Sequence, residues 1–168
     1  MSLIVETGSG SATAESLTSV VYITAYHAAR GNSAWALLTT PQMEAAARKA
    51  TDYFGQVYGQ RLQGSRTYPT VQALDLPRVG IVVNDVYVDS DIVPDMIQRA
   101  ISELALKASA ADLQADLTQG VVSESVGPIS VQYDRSSPQR VRYTAIDAML
   151  APFLKAGSNS ISMGLVRC

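Results

Sequence analysis

Cysteine is almost absent from this chain, since the one cysteine among 168 residues is Cys168 at the last position. A single thiol cannot form an intrachain disulfide, and it cannot supply the several thiolates of a structural zinc site. The composition therefore suits a reducing compartment. The length suits one ordinary domain with a hydrophobic core of its own.

Histidine is equally scarce, and this bears on catalysis. The one histidine, His27, lies beside Tyr26 on the apolar side of a predicted helix, where a packed core histidine is favoured over a catalytic one. Histidine is the commonest general base and metal ligand, and the sequence has no glycine-rich phosphate loop. We therefore predict a protein that is not an enzyme and that needs no cofactor and no metal.

Four aspartates at short spacing leave a metal alternative to weigh. Asp85, Asp89, Asp91 and Asp95 lie just before and within the start of a predicted helix. A calcium-binding loop of the EF-hand type would need a central glycine and a final glutamate, which are missing. Asp89 or Asp91 is instead predicted to stabilise the N-terminus of that helix through its dipole.

A basic excess is also missing. The chain has 13 Lys+Arg against 15 Asp+Glu, a formal net charge of −2, and three of the 13 are lysines. Proteins that bind nucleic acid through its phosphates usually show a basic excess. Two groups that mix arginine with tyrosine could nevertheless stack on bases or form protein interfaces. The first group is Arg61, Arg66 and Tyr68, and the second is Tyr133, Arg135, Arg140, Arg142 and Tyr143. With an acidic total we favour the interface interpretation.

Long apolar runs are absent as well. Residues 1–6 lack the basic and apolar regions of a signal peptide, and no uninterrupted apolar run approaches the length of a membrane span. We expect a soluble protein with no membrane partner.

Hydrophobic periodicity is present and predicts a mainly α-helical fold. Ser19 is a candidate N-cap for the first helix, Thr40 for the second, and Pro94 opens the third. Met96 is assigned to the inward face of the third helix. The polar residues 7–14 are predicted to be a loop that buries little, and residues 35–38 a connector. The predicted helices are residues 20–30, 41–58, 94 to about 111 or 113, and 144–154.

Strand patterns are short. Residues 59–92 form an extended loop with short strands at 81–83 and 86–88, and a loop of this length is usually functional. Alternating apolar residues on both sides of Gly127–Pro128 predict a β-hairpin over residues 122–133. The fold class is thus a small bundle of three to four helices with one β-hairpin and a long loop.

The chain divides into a domain, residues 1–154, and a flexible C-terminal tail, residues 155–168. The tail carries Ile161, Met163, Leu165 and Val166. Apolar residues on a tail need a surface to cover them. The sequence favours neither of the two possible surfaces, which are the chain's own domain and a neighbouring protein.

Six segments, in order and at matching spacing, resemble a group of tailed-phage proteins labelled DnaT-like single-stranded-DNA-binding proteins. This group is itself similar to the head–tail adaptor, or connector, proteins of phages. The resemblance covers roughly residues 3 to 154. The segments are residues 25–35 (AYHAARGNSAW), 50–61 (ATDYF and YGQR), 73–78 (ALDLPR), 93–106 (VP and ELAL), 125–133 (SVGPISVQY) and 145–154 (AIDAMLAPFL).

The adaptor resemblance implies a structural subunit that assembles into a twelvefold homo-oligomeric ring beneath the portal protein, at the head–tail junction of the virion, after synthesis in the host cytoplasm. The ring would extend the channel for passing double-stranded DNA without binding it specifically, and would dock a tail-completion or stopper protein. The tail residues Ile161, Met163, Leu165 and Val166 would bind the portal. The label implies the alternative, a single-stranded-DNA-binding module in replication restart. It would use the arginines and tyrosines Arg61, Arg66, Arg135, Arg140, Arg142, Tyr68, Tyr133 and Tyr143.

Overall fold

The computed structural model describes residues 2–114, 123–126, 129–132 and 143–155; of residues 123–126 and 129–132 the backbone alone is described. The fold is mainly α-helical, as the periodicity predicts. The helices in these parts of the chain are Val20–Ala28 (α1), Ser33–Ala36 (α2), Thr40–Tyr58 (α3), Asp95–Ala110 (α4) and Thr144–Leu150 (α5), with 3-10 turns at Gly59–Arg61 and Ala151–Phe153. No helix in the described residues is long and apolar enough to cross a membrane.

Three short antiparallel strand pairs accompany the helices. The predicted hairpin is confirmed as Ser123–Val126 (β5) with Ile129–Gln132 (β6), and the two short strands of the long loop as Val82–Val83 (β3) with Val86–Tyr87 (β4). Asn84 and Asp85 join β3 to β4 with φ of 51° and 63°. Both residue types tolerate this left-handed region, which a tight two-residue hairpin turn requires. The third pair, Ser65–Arg66 (β1) with Arg78–Val79 (β2), was not predicted.

The core lies where α3 packs along α4, with α1 and α5 against the same α4. Both helices contribute small residues to the core: Ala47 and Ala50 of α3 and Ala100 and Ala105 of α4 are each fully buried. Small side chains allow two helix backbones to come close. Larger residues such as Phe54 of α3 then fill the space on either side.

Helix starts are set by local hydrogen bonds. The Ser19 hydroxyl accepts from the Tyr22 N–H at 3.1 Å, which confirms Ser19 as the cap of α1. The predicted cap of α3 is wrong by one residue. Thr39 is the cap, and Thr40 is already helical. The Thr39 N–H donates to Gln42 Oε1 at 2.9 Å, a capping bond that requires Gln42 to lie three residues after the cap.

Three further predictions need correction. Met96 was assigned inward but is 40% exposed, because the buried stripe of α4 begins at Ile97, one residue further around the helix. The residues predicted as a connector include the short helix α2, whose Trp35 is buried and donates from Nε1 to Thr24 Oγ1 at 3.0 Å. In addition, two predicted helix ends are wrong: α1 ends at Ala28 and not at Arg30, and α5 ends at Leu150 and not at Leu154, because the chain around Pro152 continues as the 3-10 turn Ala151–Phe153.

The N-terminal loop buries more than its composition predicts, because it wraps a carboxylate. Glu6 is 2% exposed, and its Oε1 accepts from the N–H groups of Gly8 at 2.7 Å and Gly10 at 3.0 Å. Its Oε2 accepts from the Ser11 N–H at 2.7 Å. The small residues of this loop thus fold closely around one buried charge, and Gly8, with φ of 110°, takes a conformation that favours glycine.

Candidate functional site

The structure describes some of the predicted site residues and not others. Arg61, Arg66, Tyr68 and Tyr143 lie within the described residues. The other predicted residues lie outside them: Tyr133, Arg135, Arg140 and Arg142 of the second arginine–tyrosine group, and Ile161, Met163, Leu165 and Val166 of the tail.

An open cleft of about 450 Å³ lies where the C-terminal end of α3 meets β1 and β2. Arg66, Arg78 and Lys155 line it together with Asp75, and Gly59 and Gly64 are among its other walls. We call this the cationic cleft. Of its charged residues, the sequence singled out Arg66 alone.

Two arginines are fixed at the cleft by different partners. Arg66 donates from Nε and Nη2 to Asp75 Oδ1, at 3.3 and 2.8 Å. Arg78 is 8% exposed and donates to the backbone carbonyls of Gln63 and Gly64, both at 2.8 Å. Burial lowers the pKa of Arg78, and the nearby Asp75 carboxylate opposes this change. The buried guanidinium therefore ties β2 to the chain before β1.

Two glycines allow the backbone to close around the cleft. A Cβ at Gly64, whose φ is 65°, would lie 2.0 Å from the Val79 carbonyl oxygen. A Cβ at Gly59 would lie 2.3 Å from Asp75 Oδ2. Any side chain at these two positions would therefore push β2 or Asp75 away.

The end of the described chain returns to this cleft. Leu154 pairs with Leu62, the Lys155 N–H donates to the Arg61 carbonyl at 2.8 Å, and Lys155 Nζ donates to the Gln60 carbonyl at 3.1 Å. Arg61 is exposed, with its guanidinium carbon 5.7 Å from the centre of the Tyr58 ring. Arg78 and Lys155 were missed because their positions depend on contacts distant in sequence, and no local pattern signals them.

A second surface lies on the long loop. Several large apolar side chains of residues 68–92 are exposed, and Asp85, Asp89 and Asp91 of the same segment are exposed too. We call this the loop face. Its exposed apolar residues are Tyr68 (50%), Val71 (58%), Val79 (49%), Val86 (66%), Tyr87 (77%) and Ile92 (41%). Exposed apolar side chains that form a contiguous patch commonly mark a contact with another protein, whereas single ones are ordinary.

Tyr143 belongs to the domain interior more than to a binding surface. Its ring meets Tyr53 edge-on with 5.8 Å between centroids, and Lys107 Nζ lies 5.3 Å from its centroid. Half-buried in this way, Tyr143 offers less of its ring to a base than Tyr68 does.

His27 is a core residue, as predicted. It is fully buried, its Nε2 lies 2.9 Å from the Ser102 carbonyl oxygen, and its Nδ1 lies 3.0 Å from Asn32 Nδ2. Because a carbonyl can only accept, Nε2 carries the hydrogen and Nδ1 accepts from the amide. Both ring nitrogens are therefore occupied by structural bonds.

The four aspartates at short spacing have different surroundings in the fold. Among the residues that the structure describes, no three His, Cys, Asp or Glu side chains are grouped so that they could hold a metal ion. Asp95, in the first turn of α4, pairs with Arg99 at 2.6 Å, and the Tyr22 hydroxyl also donates to it. The acidic residue in the first turn is thus Asp95, which the prediction did not assign to the helix dipole, and the dipole effect of Asp89 or Asp91 stays a prediction.

These features define a small, mainly α-helical domain with a cationic cleft and an exposed apolar loop face. The chain belongs to the family described as "Putative DnaT-like ssDNA binding protein", whose model matches residues 1–168. No curated protein and no solved structure matches the chain. The family description agrees with the single-stranded-DNA-binding alternative, and no comparison bears on the adaptor role.

Proposed function

We propose that the protein is a non-catalytic assembly subunit, a phage head–tail adaptor that forms a ring beneath the portal and docks a tail-completion protein. The observation that carries this proposal is the loop face. Its exposed apolar residues suit burial against protein, while the exposed Asp85, Asp89 and Asp91 would repel a phosphate backbone.

The charge balance supports the same proposal. A subunit of net charge −2, repeated around a channel, gives a wall that does not hold passing double-stranded DNA by its phosphates. On this scheme the loop face covers a neighbouring subunit. Ile161, Met163, Leu165 and Val166 of the tail are then left for the portal. The virion neck would be the location of the assembled ring.

Light scattering after size-exclusion chromatography, with and without the portal protein, tests this proposal. We expect ring-sized particles or co-elution with the portal, and we expect Val86→Ser combined with Tyr87→Ser to weaken the assembly. Val21→Ser is the matched control, because Val21 is 79% exposed but lies on α1. A strictly monomeric protein that ignores the portal would contradict the proposal.

Single-stranded-DNA binding is the second candidate, and the family description favours it over the adaptor. The cationic cleft, with Arg61 and Tyr68 on the same loop, offers positive charge and an exposed ring for this purpose. Fluorescence anisotropy with labelled oligonucleotides tests it. Salt-sensitive binding would establish this function, its loss in Arg140→Ala combined with Arg142→Ala would assign it to the second arginine–tyrosine group and not to the cleft, and absence of binding at low salt would exclude it.

A further inference from the structure

We propose that the cationic cleft binds a phosphate group. This inference goes beyond the adaptor role, which needs no phosphate ligand. It starts from charge: Arg66, Arg78 and Lys155 face one carboxylate, Asp75, so the cleft has a local positive excess in a chain of net charge −2. Exposed Arg61 lies next to Gln60 of the cleft wall.

The cleft also contains hydrogen-bond donors that are available to a ligand. Arg66 uses Nε and Nη2 on Asp75, and within the described residues its Nη1 has no hydrogen-bond partner. Lys155 donates one hydrogen to the Gln60 carbonyl, and an ammonium carries three. Arg66 and Lys155, which both line the cleft, therefore each keep at least one hydrogen-bond donor for an anion.

The walls hold these donors before any ligand arrives. Asp75 fixes Arg66, and Asp75 itself lies against Gly59, where no side chain intervenes. Arg78 donates to the Gln63 and Gly64 carbonyls, so these two acceptors are already paired with a cation. Preorganised donors lower the cost of ordering on binding.

The size and opening of the cleft admit a phosphate group. About 450 Å³ is ample for a phosphate, and the cleft opens to solvent, so the group can be attached to a larger molecule. Arginine matches the tetrahedral oxygens of phosphate with paired donors, and lysine adds a point charge. Free phosphate and the phosphodiester of single-stranded DNA share this chemistry.

Amide chemical shifts in a ¹H–¹⁵N spectrum of the full chain test the proposal, with inorganic phosphate in one arm and a short oligothymidylate in the other. We expect both to shift the amides of Gly59, Gly64 and Lys155, and to do so less at higher salt. Lys155→Gln should weaken binding about three- to tenfold, because one charge-assisted donor is lost. Lys49→Gln, the same change at an exposed α3 position outside the cleft, should not.

The two titrations distinguish the two possible ligands. Saturable shifts with phosphate alone support a site for a free phosphate, and shifts with the oligonucleotide alone support a phosphodiester ligand. Failure of both ligands to shift these amides overturns the proposal, as does equal weakening by Lys49→Gln and Lys155→Gln. The adaptor role is judged separately by portal binding, so the two proposals can fail independently.

Discussion

Glu6 shows, at the scale of one residue, how a polar loop gains a fixed shape. Three backbone N–H groups donate to its buried carboxylate. Glu6→Ala removes their acceptor, and we expect the free energy of unfolding to fall by about 2–3 kcal/mol, as is typical when buried donors lose a charged partner. Urea denaturation followed by circular dichroism measures this loss.

The matched control for Glu6 is Glu44→Gln. Glu44 lies 3.8 Å from Arg48 in an i,i+4 pair on α3, and such pairs contribute little. The control variant should unfold at nearly the same urea concentration as the wild type. If Glu6→Ala were equally harmless, the carboxylate would not organise the loop.

Tyr26 predicts a response to alkaline pH. Burial, with a further contribution from its hydrogen bond to Glu103, raises the pKa of Tyr26 from 10.0 to about 12. Because the pKa is higher in the folded state, the neutral Tyr26 hydroxyl stabilises the fold. This stabilisation is complete below pH 10 and is lost as the pH rises towards 12. The ultraviolet absorbance of tyrosinate should be recorded against pH for the wild type and for Tyr26→Phe. The ionisation step that the variant lacks should lie near pH 12. A missing step at 10 would contradict the assignment.

At the scale of helices, the contact of α3 with α4 depends on alanine. Ala47 is fully buried, so Ala47→Leu must force the helices apart or strain side chains, and we expect a loss of about 1–3 kcal/mol. Ala45→Leu makes the same change at an exposed position two residues away. It should leave the midpoint of thermal unfolding nearly unchanged. Equal effects would mean that helix propensity, and not packing, governs both variants.

The same helices were also the most predictable part of the chain. The apolar stripes of α3 and α4 follow the 3.6-residue period, and Ser19 caps α1 as its residue type indicates. The β3–β4 turn carried a usable signal, because Asn84 and Asp85 both favour left-handed φ. The Thr39 cap and the end of α1 are shifted by one or two residues, as expected where local signals compete, whereas α5 ends four residues before the predicted position.

The cleft could not be predicted from such local patterns. Arg78 reaches carbonyls 14 and 15 residues away, and Lys155 reaches Gln60 across 95 residues. Nor does the sequence indicate that the small residues after Glu6 donate to its carboxylate. These contacts depend on how the backbone folds, so they cannot be predicted from the order of residue types along the chain.

At the scale of the whole molecule, the proposed adaptor role assigns folding and portal binding to different parts of the chain. The buried core of the described chain is built from residues between Leu17 and Phe153. We therefore expect deletion of residues 156–168 to leave the circular dichroism spectrum and the midpoint of thermal unfolding unchanged, while binding to the portal is lost. On the proposed adaptor role the loss follows because the ring supplies avidity for the portal by repeating the tail, and the truncated ring lacks it. A full-length variant with Ile161, Met163, Leu165 and Val166 all changed to serine is the control for chain length, and it should fail in the same portal pull-down. Normal portal binding by either protein would show that the tail is not the portal contact.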